Sequence, residues 1–105
     1  MNSHTDNRRT LTEFGNGNNW KLCKVVKTKQ DCILGRHYHK LKDESFMLVF
    51  GEGRIKLNEE QFTNMILFDE YFVPANVQHE FILKKNSILI GLSSKEFDPD
   101  DDYRL

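Results

Sequence analysis

The sequence predicts an all-β domain, and three observations carry that prediction. Apolar and polar residues alternate with period two over several short segments, as they do along half-buried strands. Clusters of Gly, Asn, Asp, Lys and Ser separate these segments at regular spacing. No stretch holds a helical period over several turns. Short, evenly spaced strands of this kind build a sandwich or a barrel.

From Trp20 the run W-K-L-C-K-V-V-K-T alternates, and K-Q-D breaks it. C-I-L-G-R-H-Y-H follows as a second strand, and L-K-D turns the chain before Glu44. S-F-M-L-V-F reads as a buried strand, G-E-G as a tight turn and R-I-K-L as its return, a hairpin with glycine where positive φ is needed. N-E-E-Q turns into F-T-N-M-I-L-F, and Asp69 and Glu70 precede Y-F-V-P. H-E-F-I-L-K and S-I-L-I-G-L-S-S, separated by K-N-S, are the last strands. Trp20, Phe46, Met47, Phe50, Phe62, Phe68, Phe72 and Phe81 are expected to supply most of the core.

The ends differ from this middle. Residues 1–12 are polar and aperiodic, which predicts a flexible arm, followed by the loop signal G-N-G-N-N. Residues 13–97 are expected to form the domain, and F-D-P-D-D-D-Y-R-L closes it with an acidic tail over 98–105, either solvated or docked through Phe97 and Tyr103. At 105 residues one small core is expected, with dimerisation as a way to cover exposed strand edges. The 15 Lys and Arg against 16 Asp and Glu form no basic stripe, which excludes nucleic acid as an expected partner. No apolar run spans a bilayer and the first residues lack a signal-peptide core, so a cytoplasmic protein is expected. Cys23 and Cys32 are too few for a disulfide scaffold and are expected as free thiols, Cys23 as a buried small hydrophobe.

Three of the four histidines fall in two places, His37 and His39 in G-R-H-Y-H-K and His79 in P-A-N-V-Q-H. Side chains two apart on a strand share a face, so His37 and His39 converge while Tyr38 points away. Imidazole is the commonest metal ligand, and a nearby carboxylate, Glu44, adds a hard anion.

H-x-H, then four residues, then Glu44, then six residues and Gly51, resembles the first motif of the cupin superfamily, although Asp31 occupies the slot of its leading glycine. Pro74 and His79 match the second motif, while Phe68, Asn76 and Leu83 stand where it has Gly, Gly and Asn. Asn tolerates the left-handed backbone that a turn glycine would adopt. The resemblance covers roughly residues 20–95 and implies a single-domain jelly-roll β-barrel. It implies one divalent metal ion (Zn, Ni, Mn or Fe) held by His37, His39, Glu44 and His79.

Two further strings narrow it. D-N-R-R-T-L-T-E-F is similar to the opening of cupins that act on nucleotide-linked sugars, and L-S-S-K-E-F-D-P-D-D-D-Y-R-L to their close. That group includes dTDP-4-keto-6-deoxyglucose ketoisomerases and metal-bearing cupin domains fused to capsular polysaccharide reductases. Arg9 replaces a glycine of the group, and Leu34 stands where it often has a cation. The resemblance implies an isomerase or epimerase moving a proton next to a keto-sugar carbonyl. His37, His39 or Glu44 is the base if no metal binds, and Tyr71 is a possible acid. Arg54 and Lys56 are candidates for a diphosphate, and a homodimer is expected. A metal-dependent oxygenase and a non-catalytic sugar-binding module are the alternatives.

Overall fold

The computed structural model describes residues 2–15, 17 and 19–105. Met1 of the expected arm, and Asn16 and Asn18 of the expected loop, lie outside the described residues. Among the described residues there are eleven strands, β1 (Asn2–Thr5), β2 (Thr10–Glu13), β3 (Leu22–Lys27), β4 (Cys32–Tyr38), β5 (Glu44–Phe50), β6 (Gly53–Leu57), β7 (Thr63–Asn64), β8 (Glu70–Val73), β9 (His79–Leu83), β10 (Ile88–Ser93) and β11 (Tyr103–Arg104). A 3-10 turn, Pro99–Asp101, precedes the last. Two antiparallel sheets, in the orders β3-β10-β5-β8 and β11-β4-β9-β6-β7, face each other as a jelly-roll barrel. Among the described residues, no helix is long and apolar enough to cross a membrane.

The core lies between the sheets. Phe46 and Leu48 of β5 and Leu89 of β10 meet Ile55, Phe81 and Leu83 from the opposite sheet. Period-two alternation sends Met47 to the other face of β5, where it too is buried. The aromatic expectation is corrected at several positions, since Trp20 and Phe62 are only partly buried and stand outside the core cluster. Phe50, Phe68 and Phe72 are exposed, because Tyr71 and Val73 take the inward positions of β8 and Phe50 ends its strand beyond a register shift. Cys23 is also corrected. It is exposed, since its neighbours Leu22 and Lys24 face inward instead. Both cysteines are free.

The polar N-terminal residues pair as a β1–β2 hairpin from Asn2↔Glu13 to Thr5↔Thr10. Asp6 closes its turn by accepting the Arg8 and Arg9 amides at 2.8 and 3.1 Å. The acidic C-terminal segment docks on β4. Tyr103 pairs with Tyr38, Arg104 with His37, and Asp101 is buried.

One irregularity places the site. In β4, Leu34 faces the core opposite Phe81, so strict alternation would aim Arg36 inward and His37 outward. A bulge between Gly35 and His37 shifts the register by one, with Gly35 at φ 87° and Arg36 at φ 61°. His37 thereby pairs with His79 across the sheet, and Arg36 is left exposed. A Cβ at Gly35 would sit 2.7 Å from the His79 carbonyl oxygen, so the close approach requires glycine.

Candidate metal and catalytic site

Four side chains from three strands and a loop meet at one end of the barrel. His37 comes from β4, His39 from just beyond it, Glu44 from the first position of β5 and His79 from the first position of β9. The His39 carbonyl accepts the Asn76 amide, and Asn76 adopts φ 71°, the left-handed conformation expected of it. Phe68, at the other position where cupins have glycine, is also left-handed, at φ 69°. His37 Nε2 lies 3.0 Å from His79 Nε2. Glu44 Oε1 lies 3.2 Å from His39 Nε2 and 3.5 Å from His79 Nε2. One ligand atom of each of the three histidines lies within 4.8 Å of the others.

The other face of Glu44 is anchored. Lys24 Nζ sits 3.4 Å from its Oε2, and Ser93 Oγ donates to the same oxygen at 3.4 Å. His37, Glu44 and His79 line a cavity of about 200 Å³ together with Lys24 and the apolar Val26, Leu34, Phe46 and Phe81, while His39 is not part of its wall.

Electrostatics leaves donor atoms facing donor atoms. His39 Nδ1 contacts the Asp101 carbonyl, which can only accept, so Nδ1 carries the hydrogen and Nε2 keeps its lone pair toward Glu44. Glu44 Oε1 is buried with no aligned hydrogen bond despite its two imidazole neighbours. A lone pair facing a carboxylate oxygen at 3.2 Å needs a cation between them, either a proton or a metal ion. Edges of a coordination shell with bonds of about 2.0–2.2 Å span roughly 3–3.5 Å, the range of the 3.0, 3.2 and 3.5 Å contacts, while the histidine ligand atoms as a group spread over as much as 4.8 Å. The three imidazoles are therefore close enough together to hold a divalent ion, and Glu44 lies against two of them.

The protonation equilibria follow the same contacts. Burial opposes charge on Glu44, but the His39 contact and the charges of His79 and Lys24 outweigh it and hold the carboxyl at about 2. Burial pushes His79 down to about 4, with the Glu44 charge opposing and His37 assisting. Burial and the neighbouring His39 lower His37, against Asp102. Burial works against a proton on His39 too, yet Glu44 and the Asp101 carbonyl raise it above the usual imidazole value.

The remaining sequence candidates lie elsewhere. Arg54 and Lys56 flank the buried Ile55 on β6 and point outward, each 5.7 Å from the Phe62 ring. Strand alternation thus carries them away from the cavity. Tyr71 packs on the core, and its hydroxyl accepts the Ile66 amide at 2.8 Å. Tyr38 stacks on Tyr103. Sequence reasoning missed Lys24, Ser93, Asp101 and Asp102. A strand-parity argument from Leu22 would have aimed Lys24 inward, but nothing local marks the other three.

A jelly-roll barrel holding H-x-H, a glutamate and a distant histidine at one end is a cupin. The model of the polysaccharide biosynthesis C-terminal domain matches residues 4–79, and the chain belongs to that family. No curated protein matches the sequence. Among solved structures, a 3,4-ketoisomerase from Helicobacter canadensis is similar, with a TM-score of 0.83 at 23% identity over 99% of this chain and 86% of that one. The QdtA 3,4-ketoisomerase from Thermoanaerobacterium thermosaccharolyticum, as a double mutant with TDP, gives 0.82 at 21% identity over 99% and 83%. The capsular polysaccharide assembling protein CapF from Staphylococcus aureus gives 0.71 at 23% identity, with 98% of this chain matching 32% of that one.

Proposed function

We propose that the chain is an isomerase or epimerase of a nucleotide-linked keto sugar, with His37, His39, Glu44 and His79 holding one divalent ion. The observation that carries this is the convergence of three imidazoles and one carboxylate beside an apolar cavity edged by a lysine. Several similar structures are 3,4-ketoisomerases, and one holds TDP-4-keto-6-deoxyglucose, which supports the substrate class.

When bound, the ion supplies a Lewis acid that polarises the substrate's carbonyl oxygen. His39 and His79 both contact Glu44 and form with it the inner set, each no more than 8% exposed. His37 is the more open imidazole and makes no ion-pair contact with Glu44. With an ion bound its lone pair is a ligand; in a metal-free site its depressed proton affinity leaves that lone pair free at neutral pH, and His37 is then the residue suited to take the proton next to the carbonyl. The Lys24 ammonium stands beside the cavity where an enediolate oxygen or a substrate anion gains from its charge. The apolar walls exclude water and strengthen both effects.

The active form is proposed to be a homodimer. Val25 and Phe72, 65% and 44% exposed, lie on the outer face of the four-stranded sheet, where a second copy would cover them. Light scattering that gives a single-chain mass at micromolar concentration would sink that part.

The test of the activity is incubation with dTDP- and UDP-linked 4-keto sugars in deuterium oxide. Exchange of the hydrogens next to the carbonyl is expected with the correct substrate. Absence of exchange with every such sugar, by metal-loaded protein, counts against the proposal.

A further inference from the structure

The acidic C-terminal segment is built into the site. Asp98 accepts the Asp100 amide at 2.9 Å and starts the 3-10 turn. Asp101 is 4% exposed, and its carboxylate accepts the Lys40 and Leu41 amides at 2.8 and 3.1 Å, just past His39. Its backbone carbonyl takes the His39 Nδ1 hydrogen. The next residue reaches the other histidine, with Asp102 Oδ1 2.9 Å from His37 Nδ1. Arg104 locks this arrangement, donating to the Gly35 carbonyl at 3.0 Å and lying 3.1 Å from Asp102 Oδ2.

The His37–Asp102 contact has a chemical consequence. Both atoms are buried and, although 2.9 Å apart, make no aligned hydrogen bond to each other or to any other described group. A carboxylate oxygen facing an imidazole nitrogen is favourable only when that nitrogen carries the hydrogen. Nδ1–H on His37 leaves its Nε2 lone pair turned toward His79 and the cavity.

We propose that Asp102 is a positioning residue for His37, and that the Asp101 carbonyl does the same for His39. The C-terminal segment thus sets which nitrogen each member of H-x-H presents. The proposal rests on reading the cavity as the reaction site, because holding an ion and taking a substrate proton both need the Nε2 lone pair. Nothing in the local sequence D-D-D marks the middle and last aspartates as partners of residues some 62 positions earlier.

The experiment is nitrogen-15 NMR of histidine tautomers in chelator-treated protein. The wild type is expected to show Nδ1–H on both His37 and His39. D102A should shift His37 toward Nε2–H while His39 stays unchanged, which also reports that the fold survives. D102N keeps an oxygen acceptor and should retain the wild-type tautomer. Zinc affinity should fall about 10–100-fold in D102A and less in D102N. If D102A does not fold, D102L, which refills the volume, carries the same measurement. An unchanged His37 tautomer in the folded alanine or leucine variant overturns the proposal. The tautomers are read without substrate, so failure of the isomerase assay alone leaves this result standing, and the reverse also holds.

Discussion

His37 Nε2 stands 3.0 Å from His79 Nε2 because their strands pair directly, His37 opposite His79, just past a bulge. Forty-two positions of sequence separate them. Closing that distance fixes half of the proposed ligand set, and several outcomes follow from it.

His37→Ala, His39→Ala and His79→Ala should each weaken metal binding beyond the roughly 10–100-fold typical of losing an outer partner. Glu44→Gln should weaken it less, because a neutral oxygen still coordinates. Competition with a chromogenic chelator measures all four.

Metal-free protein should lose stability in mild acid. His79 has a folded value of about 4 against 6.5 for the free side chain, so the unfolded chain binds the extra proton first. Its contribution is complete above pH 6.5 and is lost as pH falls toward 4, on the order of 3 kcal/mol. Glu44, lowered from 4.5 to about 2, extends the loss below pH 4.5. His39 has the opposite sign, since its raised value adds stability that disappears as pH rises past it. Urea titrations between pH 4 and 8 test the window, and a flat profile through it contradicts a buried, neutral His79.

Gly35→Ala should destabilise the fold and disturb the site together. Positive φ alone costs about 1–2 kcal/mol for a residue with a Cβ, and the new atom meets the His79 carbonyl oxygen at 2.7 Å. Chemical denaturation measures the first effect, and metal affinity the second.

Lys24→Met should change stability by less than about 1 kcal/mol, since the lysine side chain is 45% exposed. It should raise KM for an anionic sugar nucleotide and lower the exchange rate about tenfold. Unchanged kinetics would remove Lys24 from the proposed chemistry.

Much of this architecture was legible because it is local. Alternation marked β3, apolar runs between turn signals marked β5, β9 and β10, and the G-E-G turn marked the β5–β6 hairpin. The i, i+2 spacing of His37 and His39 gave their shared face, and Asn76 fitted a left-handed turn. The hidden parts depend on pairing at a distance. The β1–β2 hairpin has a single large apolar side chain, Leu11, and is held by backbone pairing, so it carries no hydrophobic period. Asp101 and Asp102 look like a solvated acidic run until β11 docks beside β4. Arg54 and Lys56 satisfied charge and spacing, but the buried Ile55 between them fixes their direction outward.

The most direct measurement is elemental analysis of purified wild type and the double variant H37A/H39A after loading with zinc, nickel, manganese or iron(II). About one divalent ion per chain is expected in the wild type, with near-complete loss in the double variant at unchanged fold. Full metal content in H37A/H39A, or none in the wild type with any of the four ions, contradicts a metal centre built from His37, His39, Glu44 and His79.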